Sequence, residues 1–279
     1  MTRARLAYMP LITYPDIAPD DSVSAAVAVA VALGLELHAK TFSVEIPRAS
    51  SALGGVLLDL PEMIRTTEEN SVVQCRRLED LVRRKAGTAV KAECTTRKLA
   101  TGLTLDAAAI QARYYDLSLL PWAKDKLTIQ DLAQAVVFGS GRPAILVPPS
   151  AIPEKINHVA IAWDGTRVAA RALADAMPLL TDDARLTVLT IQDEKQLERG
   201  DIAPALASSL QLRGLDAQAK SVLLNGRPIA EALQASAAEA GADLLVMGGF
   251  GHSRIRDFIL GGATKGVFRD LRMPVLLSH

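Results

Sequence analysis

Glycines cluster at two places near the end of the chain where they could hold an anion. Gly248 and Gly251 follow the hydrophobic run at residues 243–247, and Gly261 and Gly262 precede a helical pattern. Glycine lets the main chain approach a phosphate closely and adopt positive φ, and the first N–H groups of a helix carry the positive end of its dipole. These residues predict a site for a nucleotide-sized anion.

The glycine spacing is G-x-x-G-x9-G from Gly248 to Gly261, and Pro274 introduces a last hydrophobic strand after one short helix. This pattern resembles the universal stress protein family, whose nucleotide-binding members carry G-x-x-G-x9-G-[S/T] before the last helix. Gly262 stands where that family usually has Ser or Thr. A hydroxyl contact to phosphate is therefore lost at this position, although Thr264 could supply one.

The resemblance implies an adenine-nucleotide site in the second half of the chain. In the family, the acidic residue ending the first strand lies by the adenine and ribose, a residue late in the second strand contacts adenine, and the glycine loop wraps the ribose and phosphates. It implies ATP as the ligand, or ADP or AMP, and leaves open whether Mg²⁺ accompanies it. Carried onto this chain, the site residues are Ala162, Trp163, Asp164, Ile191, Met247, Gly248, Phe250, Gly251, Gly261, Gly262, Ala263 and Thr264.

Several of these residues have a plainer explanation. Asp164 could belong to an N-cap and turn before the next helix, Thr264 could cap its own helix, and the glycines could form a loop without a ligand. Arg254 and Arg256 could clamp a phosphate or could be solvated loop charges. His252 has no Ser, Cys or carboxylate at the spacing of a known catalytic motif.

Sequence motifs of catalysis are absent. The chain has no G-x-x-x-x-G-K-[S/T], no G-x-G-x-x-G, no G-x-S-x-G and no H-E-x-x-H. We therefore assign no catalytic and no metal-binding residue and expect at most slow ATP hydrolysis. An adenylating enzyme is disfavoured because the S-G-G-x-[D/S] phosphate loop usual in such enzymes is absent after the first strand of this half.

The elements of the second half alternate between strand and helix, which predicts a parallel sheet covered on both faces. Ligands of such sheets bind beyond the carboxyl ends of the strands, where the strand order reverses. The strand order 3-2-1-4-5, implied by the resemblance, puts this point between the strands ending at Trp163 and Met247. The predicted strands are 157–163, 186–191, 217–223, 243–247 and 274–278, and the predicted helices are 167–177, 203–213, 228–240 and one ending at 271.

The first half repeats this plan, which indicates an internal duplication. Residues 115–120 and 142–147 echo residues 242–247 and 272–277, and residues 148–153 form a proline-bearing linker. The predicted fold is α/β, with two tandem Rossmann-like domains at 1–148 and 154–279. Each is expected to be an open, mostly parallel five-stranded sheet with helices on both faces. The other predicted elements of the first half are strands 6–12, 35–42 and 90–96 and helices 22–33, capped by Asp21 or Ser22, and 62–86.

Two differences predict that the first domain does not hold a nucleotide in this way. Residues 121–124, Pro-Trp-Ala-Lys, replace Gly-Gly-Phe-Gly, in an interval that is four residues shorter and that puts Gln130 near the position of Gly261. We also expect residues 9–11, Met-Pro-Leu, to stand where the second half has Ala162, Trp163 and Asp164. No acidic residue then ends the first strand.

Composition excludes several classes of partner. Lys plus Arg balance Asp plus Glu at 31 each, which gives no electrostatic footprint for nucleic acid or an anionic membrane. The apolar run at residues 25–35 is too short to span a bilayer and no signal peptide is evident, so we expect a cytoplasmic protein. Cys75 and Cys94 are expected to be reduced thiols without metal-ligand neighbours.

The sequence thus predicts a tandem stress-response protein that binds an adenine nucleotide in its second domain and acts through a conformational or partner-binding change. The alternative is a scaffold that works without a nucleotide. Family members pair through the last strand, so residues 144–147 and 275–277 are expected to join the two domains of one chain, with a homodimer left open.

Overall fold

The computed structural model describes residues 4–47, 60–192, 202–249 and 262–279. The first half contains nine helices and strands within these residues. They are β1 Leu6–Ile12, α1 Asp20–Ala32, β2 Glu36–Glu45, α2 Leu60–Ala86, β3 Ala92–Ala100, α3 Thr104–Ala112, β4 Leu117–Pro121, α4 Leu127–Gly139 and β5 Ala144–Val147.

The second half repeats this order. Its elements are β6 His158–Ala162, α5 Arg167–Ala176, a 3-10 turn at Met177–Leu179, β7 Arg185–Ile191, α6 Ile202–Gln211, β8 Asp216–Val222, α7 Ile229–Glu239, β9 Leu244–Gly248, α8 Gly262–Arg269 and β10 Val275–Ser278. The predicted α/β fold with two tandem Rossmann-like domains is confirmed. The predicted domain boundaries at 148 and 154 fall between β5 and β6 and remain a prediction.

The strands form one ten-stranded sheet with the order β3-β2-β1-β4-β5-β10-β9-β6-β7-β8. Each half therefore has the expected order 3-2-1-4-5, and neighbouring strands within each half run parallel. The halves meet where β5 and β10 pair antiparallel, with Ile145 opposite Leu276. The predicted pairing of the last strands within one chain is confirmed.

The strands near the middle of the sheet are buried on both faces, as expected for a parallel sheet between helices. All residues of β1 after Leu6 are buried, and β4, β5 and β10 are buried throughout. The edge strand β3 is largely exposed. Small residues on the helices, such as Ala26 and Ala30 of α1, let the helices pack closely on the sheet.

Equivalent hydrogen bonds show which residues of the first half correspond to which residues of the second. Asp116 Oδ2 accepts from the N–H of Leu6 (2.8 Å), as Asp243 Oδ2 accepts from that of His158 (2.9 Å). Counting along β1 and β6 from these residues sets Ile12 at the position of Asp164. The expected equivalence of Leu11 with Asp164 is therefore wrong by one residue, because Leu6, and not Arg5, is the counterpart of His158. The conclusion that no acid ends β1 is unaffected.

The start of α1 also differs from expectation. The helix begins at Asp20 after Pro19, and no side chain caps it, so the expected cap by Asp21 or Ser22 is wrong. Both residues lie inside the first turn, and the Ser22 hydroxyl donates to the carbonyl of Trp122 (2.8 Å). The Ser22 hydroxyl, one of the two groups predicted to cap α1, therefore binds the residue that follows β4.

Among the described residues, no helix is long and apolar enough to cross a bilayer, and no group of three or more His, Cys, Asp or Glu residues could hold a metal ion.

Candidate functional site

The candidate site lies where β6 pairs with β7 on one side and with β9 on the other. From the carboxyl ends of β6 and β9 the chain continues to helices α5 and α8. This is the point of strand-order reversal at which open α/β sheets bind ligands. Six of the predicted site residues are described at this edge: Ala162, Trp163, Asp164, Ile191, Met247 and Gly248.

Asp164 makes the turn that leads into α5. Its Oδ1 atom accepts hydrogen bonds from the N–H (3.0 Å) and the hydroxyl (2.6 Å) of Thr166, and Gly165 between them has a φ of +75°. Thr166 is the N-cap, with its Oγ1 accepting from the N–H of Ala169 (3.3 Å). The turn-and-cap arrangement is thus present, and it leaves the Asp164 side chain exposed at the edge of the sheet.

The neighbouring strand ends are held by backbone hydrogen bonds. The N–H of Trp163 donates to the carbonyl of Leu189 (2.8 Å), and the carbonyl of Trp163 accepts from the hydroxyl of Thr190 (2.8 Å). The side chains of Trp163 and Ile191 are partly buried and pack against the core. They form an apolar, partly open surface beside the carboxylate of Asp164.

Gly248 is required by packing. A Cβ atom on this residue would lie 2.7 Å from the carbonyl carbon of Val168 and 2.8 Å from the nitrogen of Ala169. Real Cβ atoms do not approach backbone atoms so closely, so the close contact between β9 and the first turn of α5 demands glycine. Sequence reasoning assigned Gly248 to a phosphate and missed this second requirement. The sequence signal for this packing requirement was a glycine at the end of a predicted strand in a sheet covered by predicted helices.

After Gly249, the next residue that the structure describes is Gly262, where α8 begins. Ala263 is partly buried and Thr264 is only 3% exposed. Because the helix starts at Gly262, Thr264 lies within its first turn and is not its cap. Phe250, Gly251 and Gly261 lie outside the described residues, together with His252, Arg254 and Arg256.

The equivalent point of the first domain is apolar. The N–H of Trp122 donates to the carbonyl of Val147 (2.9 Å), as that of Gly249 donates to Ser278 (2.7 Å), so Pro121 occupies the position of Gly248. A narrow crevice is present there, and the described residues that line it are all apolar. They are Pro10, Ile12, Ala18, Leu120, Pro121, Ile129, Leu132 and Ala133.

Gly261 lies outside the described residues, so its expected equivalence with Gln130 stays a prediction, whereas Gln130 itself is described. It is inside α4, where its side-chain amide donates to the carbonyl of Lys124.

The two cysteines are not disulfide-bonded to each other. Burial raises the pKa of both the Cys75 and the Cys94 thiol, so neither has the lowered pKa of a reactive thiolate.

Comparison with known proteins shows which proteins share this sequence pattern and this fold. The model of the universal stress protein family matches residues 155–279. A universal stress protein from Archaeoglobus fulgidus is 17% identical, with 97% of each chain covered and a TM-score of 0.71. A protein from Pseudomonas aeruginosa described as a universal stress protein is 16% identical, with 97% of this chain and 92% of its own covered and a TM-score of 0.56.

A universal stress protein solved in complex with cAMP is 25% identical and covers 44% of this chain and 97% of its own, with a TM-score of 0.33. Among curated proteins no sequence matches. The two-domain relatives share the fold along nearly the whole chain, and the family model matches the half that carries the glycines. The second half of the chain, residues 155–279, therefore matches the universal stress protein family, and the chain as a whole shares the fold of the two-domain relatives.

Proposed function

We propose that the second domain binds an adenine nucleotide, with ATP as the first candidate, and that the protein acts through a conformational or partner-binding change. The observation that carries this proposal is the contrast between the two points of strand-order reversal. The second domain has an exposed carboxylate at Asp164 and a glycine pair at Gly248 and Gly249, whereas the first has Ile12, Pro121 and Trp122 at these positions.

The residues at the carboxyl ends of β6, β7 and β9 have the chemistry to bind the ribose, the adenine and the phosphates of a nucleotide. A carboxylate such as that of Asp164 accepts hydrogen bonds from ribose hydroxyls, and the partly buried surfaces of Trp163 and Ile191 suit an adenine ring. Phosphates are assigned to Gly251, Gly261 and the first N–H groups of α8 at Gly262. In this proposal a Mg²⁺ ion would be held chiefly by the phosphates, since the described residues contain no cluster of ligands for it.

The same residues do not suggest rapid chemistry. Asp164 is already hydrogen-bonded to Thr166 through Oδ1, and no His or Cys of the described residues lies among the six strand-end residues of the site. We therefore propose binding as the function, with hydrolysis slow if it occurs at all.

A scaffold that works without a nucleotide is the second candidate, and the packing of two glycines favours it. Gly248 lies against the backbone of α5, and a Cβ on Gly266 would lie 2.5 Å from the Cβ of Ala230. These two glycines would be required even if no nucleotide were ever bound.

Release and reloading of the nucleotide distinguishes the two functions. The purified protein is denatured, any released small molecule is identified by mass, and the refolded or emptied protein is titrated calorimetrically with ATP, ADP, AMP and cAMP in the presence and absence of Mg²⁺. Adenine nucleotide in roughly one-to-one ratio to chain supports the proposal. Absence of both released nucleotide and titratable binding contradicts it and leaves the scaffold.

A further inference from the structure

The strand β3 at the edge of the first domain is long, regular and largely exposed. It pairs with β2 residue for residue from Ala92 to Ala100, so it contains no bulge. It contains no Pro either, the residue that commonly protects a sheet edge from further pairing. Within the described part of the chain, no strand lies on its outer side. β3 is therefore an edge to which another strand can be added.

Hydrogen bonds at the two ends of β3 show which of its backbone groups face outward. The N–H of Leu37 donates to the carbonyl of Lys91 (2.8 Å), and the N–H of Thr101 donates to the carbonyl of Glu45 (3.0 Å). Because backbone groups alternate in direction along a strand, the odd-numbered residues bond to β2 and the even-numbered residues face outward. The outward N–H and C=O groups without a partner among the described residues belong to Ala92, Cys94, Thr96 and Lys98.

Side chains of opposite charge lie on one face of this edge. Glu93, Thr95 and Arg97 share a face because side chains alternate along a strand, and all three are exposed. Glu93 is 55% exposed although its Oε2 atom lies 3.7 Å from Nδ1 of His38. Arg97 makes no ion pair with a described residue. The edge thus presents an acid and a base at equal distances on either side of Thr95.

This spacing matches one register of pairing with a second copy of the same strand. In an antiparallel pair centred on Thr95, Glu93 of each chain lies opposite Arg97 of the other. Both are non-hydrogen-bonded positions, where Cα atoms lie only about 4.5 Å apart and side chains approach closely. The outward N–H and C=O groups of the even-numbered residues face each other in the same register and can exchange hydrogen bonds.

Neighbouring registers do not bring opposite charges together. A pair centred on Arg97 sets the two Arg97 side chains opposite each other, and a pair centred on Cys94 sets Lys91 opposite Arg97. Like charges directly opposite each other destabilise a strand pair. A pair centred on Thr96 sets no charges opposite each other. The charges of the strand therefore favour the register centred on Thr95.

The opposite edge of the sheet, β8, is less suited to this pairing. Asp216 and Lys220 have the same spacing there, but Lys220 Nζ lies 3.3 Å from Glu239 and donates to the carbonyl of Ser236 (3.2 Å). This lysine is bound within its own domain, whereas Arg97 is not. β8 is also shorter, with seven residues against nine in β3.

We infer that the chain forms a homodimer in which β3 pairs antiparallel with β3 of a second copy, centred on Thr95. A two-fold axis relates the two strands, so the contact is closed and each exposed edge is covered by the other. The two ten-stranded sheets become continuous. β10 joins two domains within one chain, whereas β3 joins two chains, and this pairing does not depend on whether a nucleotide is bound.

Charge reversal tests the register. Analytical ultracentrifugation over a range of protein concentrations compares the wild type with Glu93→Arg, Arg97→Glu and the variant that carries both changes. We expect a dimer for the wild type and a dissociation constant about tenfold higher or more for each single variant, because both symmetric pairs then set like charges opposite each other. The double variant should recover the dimer. Asp216→Arg on β8 is the matched control and should dimerise as the wild type does.

Several outcomes of this experiment would overturn the inference. They are a wild type that stays monomeric at every concentration, single variants that dimerise as tightly as the wild type, and a double variant that does not recover the dimer. Loss of the dimer in Asp216→Arg but not in Glu93→Arg would assign the contact to β8 instead. Circular dichroism establishes that each variant is folded. If the charge reversals unfold the protein, variants of Lys98 decide the result.

Lys98→Pro tests the backbone pairing directly. The N–H of Lys98 faces outward, so proline removes a hydrogen bond to the second chain and none to β2, and an edge strand tolerates proline at such a position. Lys98→Ala is the control, because it keeps the N–H and loses only the ion pair with Glu68 (3.3 Å). We expect Lys98→Pro to weaken the dimer about tenfold or more and Lys98→Ala to keep it. Equal dissociation constants for the two variants would contradict the pairing.

Amide hydrogen exchange followed by NMR gives a readout that a general change of charge would not move. In the wild type, the outward N–H groups of Cys94 and Thr96 should exchange more slowly as the protein concentration rises. The N–H groups of Glu93 and Thr95, which bond to β2, should exchange at the same rate throughout. Exchange at Cys94 and Thr96 that does not depend on concentration would overturn the inference.

Discussion

Gly248 lies where β9 contacts the first turn of α5, and a methyl group there would meet the backbone of Val168 at 2.7 Å. Neither partner can move without displacing a helix or a strand. Gly251 and Gly261, by contrast, are predicted to contact the nucleotide because their spacing fits a phosphate-binding loop. The two kinds of glycine predict different mutant phenotypes, since one acts on packing and the other on the ligand.

Gly248→Ala should lower the free energy of unfolding by about 1–3 kcal/mol, the usual cost of overpacking a close contact. Gly251→Val and Gly261→Val should instead abolish nucleotide binding with little loss of stability, because a branched side chain occupies phosphate space and opposes positive φ. Urea unfolding and isothermal titration measure the two effects. Binding retained in both valine variants would remove the loop from the site.

His158 at the start of β6 makes stability sensitive to acid. It is 6% exposed, with Nε2 2.8 Å from the hydroxyl of Thr187 and Nδ1 3.3 Å from the guanidinium of Arg185. Burial, and then the positive charge of Arg185, lowers the pKa of His158 below its ordinary value. The folded state therefore binds a proton less readily than the unfolded state does.

The stability that neutral His158 contributes is present above its ordinary pKa of about 6.5 and is lost as the pH falls from there through the lower folded value. His158→Gln should reduce this loss. The measurement is urea unfolding of both proteins at about pH 7.5 and about pH 5, straddling that ordinary value. An identical fall in the unfolding free energy for both would show that His158 does not contribute.

At the scale of elements, β10 joins the two halves of the sheet. It pairs parallel with β9 and antiparallel with β5, and all four of its residues are buried. Its removal exposes two strand edges in the middle of a continuous sheet. Exposed edges of this kind associate with other chains.

Deleting residues 274–279 should therefore uncouple the two domains and alter the oligomeric state. Light scattering after size-exclusion chromatography gives the mass of the particle. Thermal unfolding shows whether the unfolding temperature falls and whether the two domains unfold in separate transitions. A control that replaces the exposed Leu212, between α6 and β8, by Ala leaves β10 unchanged and should retain the mass of the intact chain. An unchanged mass and unfolding profile in the deletion variant would contradict the role of β10.

At the scale of the whole molecule, the two domains share a strand order but differ in the residues at the point of strand-order reversal. The first domain has an apolar crevice at its point of strand-order reversal, and Pro121 there has no N–H to offer a phosphate. The second has the glycine pair and Asp164. Duplication of the fold has therefore left two chemically different edges on one sheet.

Saturating nucleotide should occupy one site per chain. Isothermal titration gives the stoichiometry, and Asp164→Ala should weaken the binding while Asp16→Ala, in the corresponding loop of the first domain, should not. Both variants remove a carboxylate from a β–α loop, so they are matched in charge. Two equivalent sites, or a single site abolished only by changes in the first domain, would overturn the assignment.

The sequence by itself determined the fold class and the duplication, because the alternation of hydrophobic strands and helices is a local pattern. The strand order was implied only by the resemblance that the glycine spacing carries. The sequence also determined the contrast between the two edges, since the residue types at 121–124 and 248–251 differ. Helix starts were less certain. The cap of α1 was wrong because the Ser22 hydroxyl is used by Trp122, a residue one hundred positions away along the chain.

Only the tertiary structure decided which glycines are needed for packing, because the distance from Gly248 to Val168 depends on how β9 and α5 meet. It also showed that Ile12, and not Leu11, is equivalent to Asp164, because the register of a strand is fixed by its hydrogen-bonded pairing and not by residue spacing along the chain. The rings of Trp122 and Phe268, one from each half, lie 5.5 Å apart beside the antiparallel joining of β5 and β10. That joining brings together residues of two domains that no local pattern relates.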